Sequence, residues 1–193
     1  GGGLTKSGLG TLTLSGTTPN TYAGNTAVDA GTLKLGAAGR IPDGTGKGDV
    51  TVNGTFDLNT FSETINGLSG TGKVDTIAGG SPTLTVGNDN DTATFSGTIT
   101  DTAGTLSLVK TGSGTQSIRM GSAASYAGST TVNGGSLIIT NTNDLGGISS
   151  SQFYINGAST LEFESSVGGA NRTMMNNKTF TFDATGGGTI NFN

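Results

Sequence analysis

The densest group of oxygen donors in this 193-residue chain is Gly87-Asn88-Asp89-Asn90-Asp91. Alternating Asp and Asn side chains are hard ligands of the kind Ca²⁺ takes, with Asp89 and Asp91 as the carboxylates. The run lacks the rest of an EF-hand loop, and Asx-turn chemistry accounts for the same residues. A second polar stretch, 39–50, holds Arg40, Asp43, Lys47 and Asp49. Acids beside a base, with a metal, can abstract a sugar proton. The same stretch carries Pro42 and four glycines, which makes a solvated loop. Glu162 and Glu164 lie two apart, a spacing open to glycoside hydrolysis. Two apart is also one polar face of an ordinary strand. Tyr22 and Tyr126 offer flat rings on which a sugar could stack, or corner residues of a repeating unit.

Other chemistry is excluded by composition. The chain has no Cys and no His. That removes disulfides, zinc ribbons, catalytic thiols and Ser–His–Asp hydrolysis. We expect no catalytic residues and no cofactor, with calcium at Asp89 and Asp91 as the single metal reading. Nine basic residues against thirteen acidic ones, scattered from Lys6 to Lys178, give no basic stripe for nucleic acid. No apolar run reaches the length of a membrane-crossing helix. The opening Gly1-Gly2-Gly3-Leu4 has no Met and no signal-peptide pattern. The end, Thr189-Ile-Asn-Phe-Asn193, reads as part of a strand. Residues 1–193 are therefore expected to be one segment of a longer chain.

Strands must position whatever site exists. There are 36 Gly and 35 Thr, and no helical periodicity. Apolar residues instead alternate with Thr: Thr11-Leu-Thr-Leu14, Gly31-Thr-Leu-Lys-Leu35, Thr83-Leu-Thr-Val86, Thr92-Ala-Thr-Phe-Ser-Gly-Thr-Ile99, Thr105-Leu-Ser-Leu108 and Thr160-Leu-Glu-Phe163. Asn-Gly, Gly-Gly and Ser-Gly pairs separate them. Leu4-Thr-Lys-Ser-Gly8-Leu-Gly10-Thr11 matches Leu108-Val-Lys-Thr-Gly112-Ser-Gly114-Thr115, and Tyr22-Ala-Gly24 through Leu35 matches Tyr126-Ala-Gly128 through Ile139, always 104 residues on. A second copy of a unit of that length begins and is cut short. Short strands in a repeat cannot bury a core singly and must stack. The expected fold is all-β, a right-handed parallel β-helix with 20–25 residues per coil. The alternative is a set of antiparallel β-sandwich modules.

The run Lys6-x-Gly8-x-Gly10-Thr11-Leu12-x-Leu14-x-Gly16, followed by Asn20-Thr-Tyr22-x-Gly24-x-Thr26-x-Val28-x-x-Gly31-Thr32-Leu33-x-Leu35, resembles the passenger-associated repeat of autotransporters. It covers 4–35, with a diverged copy at 108–139. There Gln116 and Met120 replace Leu12 and Gly16, and Ala124 replaces Asn20. The resemblance implies a β-helical passenger exposed at a bacterial cell surface or secreted, its parent attached through an outer-membrane barrel. It implies a non-catalytic structural or adhesive stalk. Partners on that reading are host or matrix glycans and proteins, or other copies of the chain. The alternatives are a carbohydrate-binding or polysaccharide-acting β-helix and a self-assembling surface fibre subunit.

Overall fold

The computed structural model describes residues 1–120, 126–140, 152–164, 179–182 and 187–192. Every strand pairing among them is parallel, and none of them is helical. An antiparallel sandwich would pair strands adjacent in sequence. Here Leu4 pairs with Thr26, Thr26 with Val50, and Val50 with Leu68. The chain is a parallel β-solenoid. Through Phe163, register partners lie 18 to 25 residues apart.

Three strand faces run along the stack, with strands numbered in chain order. The first begins with β1 (Leu4–Lys6), β3 (Thr26–Val28), β5 (Val50–Val52) and β8 (Leu68–Ser69). It continues through β11 (Ala93–Phe95), β14 (Thr115–Ile118), β16 (Ser136–Ile139), β18 (Thr160–Phe163) and β20 (Thr189–Phe192). A single bridge, Gly70 to Phe95, joins the two runs. The second face stacks β2 (Thr11–Leu14), β4 (Thr32–Leu35), β6 (Thr55–Asp57), β9 (Lys73–Asp75) and β12 (Thr98–Ile99). The third stacks β7 (Glu63–Thr64), β10 (Thr83–Val86), β13 (Ser107–Lys110), β15 (Thr130–Val132), β17 (Gln152–Ile155) and β19 (Thr179–Phe182).

Alternation along each strand sends one set of side chains inward, and parallel register stacks like on like. Leu33, Phe56, Val74 and Ile99 form one fully buried row. Phe95, Ile118, Ile139 and Phe163 form another. Outward positions hold Thr: Thr11, Thr32 and Thr55 stack on the second face.

Among the described residues the second face runs from β2 to β12, whereas the third starts at β7. The two copies of the repeat therefore sit differently. Lys6 belongs to the first face and its counterpart Lys110 to the third. Thr11–Leu14 lies on the second face and Thr115–Ile118 on the first. The same motif is built twice, one face round from itself.

Its lysine is internal both times. Lys6 and Lys110 occupy inward rungs beside Val28 and Val132 and are buried. The Lys110 ammonium donates to the carbonyls of Thr111 (2.5 Å), Gly112 (3.1 Å) and Gly134 (3.2 Å). Three donors meet three acceptors, and no carboxylate is needed. Lys6 donates to Gly8 O and, at 3.0 Å, to Ala30 O. Each lysine thus ties its own turn to the turn one coil up, 24 residues on. Burial lowers the Lys110 pKa from 10.5 to about 8. The turns come so close that Gly31 and Gly135, both at positive φ, have no room for a Cβ. A Cβ there would lie 2.3 Å from Gly8 O and 2.2 Å from Gly114 O respectively.

Gln116 departs from the repeat for a reason visible in the stack. It is buried at an inward rung in register with Ala93. Its amide reaches Leu68, accepting the backbone N–H (3.1 Å) and donating to the carbonyl (2.9 Å). It spans the place where the first face narrows to one bridge.

Replacing Gln116 by the leucine of the first copy should destabilise the protein by about 2 kcal/mol, because two buried backbone groups lose partners. Lys110→Met should cost a similar ~2 kcal/mol, because three turn carbonyls lose their donor. The matching change at outward Lys34 should stay within about 0.5 kcal/mol. Urea unfolding followed by circular dichroism measures all three.

Candidate functional site

On the third side, toward the N-terminal end of the stack, two loops take the place of strands. They are residues 15–25, between β2 and β3, and 36–49, between β4 and β5. Where they meet β7 and β10 lies a cavity of about 430 Å³. Its walls include Pro19, Asn20, Ile41, Pro42, Asp43 and Lys47, and its strand side Ser62, Glu63, Thr64, Thr83 and Thr85.

The loops are pinned from several directions. Arg40 is buried, and its guanidinium donates to Ala38 O (2.9 Å), Gly16 O (3.3 Å) and Thr18 O. Asn20 returns a bond to Arg40 O at 2.7 Å. Asn66 donates to Gly44 O at 3.0 Å and to Lys47 O. Asp89 accepts the Gly46 N–H at 2.6 Å, and Asn88 donates to Asp43 at 3.2 Å. These bonds fix the cavity wall without any ligand.

Glu63 is the unusual residue here. Its register partner is Leu84, followed by Leu108, Thr130 and Phe153, so a carboxylate holds a rung of the core. It is 3% exposed. Oε2 accepts the Arg40 backbone N–H at 2.7 Å, while buried Oε1 has no hydrogen-bond partner. Burial, with a smaller push from the charge of Asp43, raises its pKa from 4.5 to about 7, against the pull of nearby backbone N–H groups.

The structure brings together part of what the sequence singled out. Arg40, Asp43, Lys47 and Asp49 do share one loop. Asp89 braces that loop through the Gly46 N–H. Asp91 lies against Asp49, and partial burial, then the charge and hydrogen bond of Asp49, then the charge of Asp89, hold its carboxyl above its usual value. Asn90 takes positive φ in this turn and accepts the Ser113 N–H at 2.7 Å. Among the described residues no three acidic side chains converge as a metal-binding set. Tyr22 and Tyr126 make the same bond in each copy, Oη to Thr26 Oγ1 and to Thr130 Oγ1, both at 2.7 Å. Tyr126 is wholly buried, and Tyr22 is half-buried near enough to Glu63 to feel its charge. Glu164 pairs with Arg119 at 2.6 Å at the surface, away from the cavity lining.

Sequence reasoning missed Glu63 and Asn66, and it placed Arg40 in a solvated loop where the side chain is buried. The three short strands β7, β8 and β9 carry little alternation. Only the 21-residue register to Leu84 marks Glu63 as inward.

The chain is thus a parallel solenoid whose repeat clamps adjacent turns with a buried lysine. The passenger-associated-transport-repeat matches residues 4–35 and 108–139, so the chain carries that repeat twice. The chain is similar to the adhesin BmaC autotransporter of Brucella suis biovar 1 (strain 1330), 37% identical over 194 residues. The match covers 98% of this chain and 5% of that protein. No solved structure matches significantly.

A buried acid with a raised pKa sets a pH dependence. The proton held by folded Glu63 favours the native state fully below pH 4.5, and that advantage is lost as pH rises through about 7. Its full size is about 3 kcal/mol. Glu63→Gln should therefore gain on the wild type by up to that amount between pH 4 and pH 8. Paired urea titrations at the two pH values give the difference.

Proposed function

We propose that this chain is a non-catalytic stalk segment of a large bacterial surface passenger, contributing reach and adhesion. The observation that carries this is the passenger repeat built twice into one continuous parallel stack. The similar protein is named as an adhesin autotransporter, of which this chain spans one twentieth in length. Export through an outer-membrane barrel elsewhere in the parent goes with that reading.

The mechanism is mechanical. Each coil hydrogen-bonds to its neighbours, and lysines and glutamine tie levels further, so the rod resists bending and local opening. Among the described residues three cations, Lys6, Lys110 and Arg40, and three acids, Asp57, Glu63 and Asp75, are buried, so the surface keeps the net negative balance of the composition. That disfavours nucleic acid. Host or matrix proteins and glycans, or a second copy of the chain, are the partners this surface suits. No helix among the described residues is long and apolar enough to cross a membrane.

Antibody raised to the chain should detect, on denaturing gels of fractionated cells, a band far above 19.0 kDa in the outer-membrane or released-surface fraction. Purified chain should also compete with whole cells for attachment to host surfaces. A cytoplasmic band at 19 kDa would sink the surface reading. Failure to compete would confine the segment to a purely structural role.

A further inference from the structure

The cavity beside β7 has a specific deficit. Glu63 lines it, is almost fully buried, and leaves Oε1 without any donor. Burying an acceptor unpaired is costly. Asp43 stands in the same wall and repels Glu63. Behind the loop, partial burial, then Asp49 and, more weakly, Asp89 hold the Asp91 carboxyl up. The available cations do not relieve this. The Arg40 guanidinium is turned to the carbonyls of Gly16, Thr18 and Ala38. Lys47 forms no ion pair with either cavity carboxylate. What is missing is positive charge that carries N–H donors.

A bare metal ion is poorly served, because no three acidic side chains converge among the described residues. A volume of about 430 Å³ suits an organic group instead. Ser62, Thr64 and Thr83 offer hydroxyl oxygens for further N–H bonds, and Ile41, Pro19 and Pro42 an apolar wall for a carbon stem. The wall is already fixed by Arg40, Asn66 and Asp89, so little ordering cost falls on binding.

We infer that this cavity binds a primary ammonium group on a short stem, the head of a lysine side chain or of an amino sugar, with Glu63 and Asp43 accepting its N–H bonds. The inference goes beyond the stalk reading and does not depend on it.

The test is a set of ¹H–¹⁵N titrations of the 193-residue chain. The probes are Nα-acetyl-lysine methylamide and glucosamine, each against its neutral counterpart, acetyl-norleucine methylamide and glucose. At least one amine should give saturable shifts at the amides of Asp43, Glu63 and Thr83, and the tighter of the two names the source. Binding should be at least tenfold weaker for the neutral counterparts, and at least tenfold weaker in Glu63→Gln and Asp43→Asn. Equal binding of glucose overturns the cation in favour of hydroxyl recognition. No saturable response to either amine, or unchanged affinity in both variants, overturns the site. Glu63→Gln keeps the volume and removes a buried charge, and Asp43→Asn decides the matter if that protein does not fold. Cell attachment is scored separately, so loss of this inference leaves the adhesive reading standing.

Discussion

Each coil of this solenoid hydrogen-bonds its backbone to the coils on either side, so no coil can change shape alone. Thr26 N–H reaches Asp49 O, Val50 N–H reaches Gly67 O, and Thr55 N–H reaches Gly31 O, all at 2.8 to 2.9 Å. That shared ladder forces like residues into rows. It also forces turns to nest, which is why a carbonyl stands where a Cβ of Gly31 or Gly135 would go. Nested turns in turn create stacked carbonyls pointing inward, and a buried ammonium is the group that satisfies them. The lysine of the repeat follows from the glycines, and the glycines follow from the ladder.

Departures from the pattern occur where the ladder is interrupted. Gln116 supplies side-chain bonds to Leu68 at the level where the first face is held by one bridge. Glu63 stands at the start of the third face, with a loop rather than a strand against it. Asp57 and Asp75, stacked in register on the second face, serve the following turns. Asp57 accepts the Asn59 and Ile77 N–H groups, and Asp75 those of Thr76 and Thr102. Lys73 and these bonds hold the Asp75 pKa low although burial opposes them. Buried polar groups in this protein therefore mark geometry first. Glu63, unlike Gln116, Asp57 and Asp75, has an oxygen left over, as buried Asn66 also does.

Much of the fold was legible because alternation and repetition are both strong. Thr11–Leu14, Thr83–Val86 and Thr160–Phe163 are strands as read, since apolar and Thr positions alternate without a break. The stretch read as one strand over 92–99 divides at Ser96-Gly97, where Gly97 packs against Gly72 O. The strand read over 105–108 starts at Ser107 and runs to Lys110, because an inward lysine looks polar in a sequence. β7, β8 and β9 were unreadable, being two or three residues long among glycines. The cavity was half legible. Its loop residues stood out as a charged cluster, but the strand residue opposite them is 14 or more positions away and shows its inward place only through register.

Because the two copies of the repeat are one face round from each other, their strands do not lie on the same sides of the stack. The first copy and the coil after it place residues 15–25 and 36–49 on the third side, a side that β10, β13, β15 and β17 later cover with flat strands. A partner surface lying along one side of the rod would therefore meet projecting loops at one height and smooth sheet at another. Two copies of one motif thus yield a display that varies with direction, so a single stalk can offer different faces to neighbours approaching from different sides.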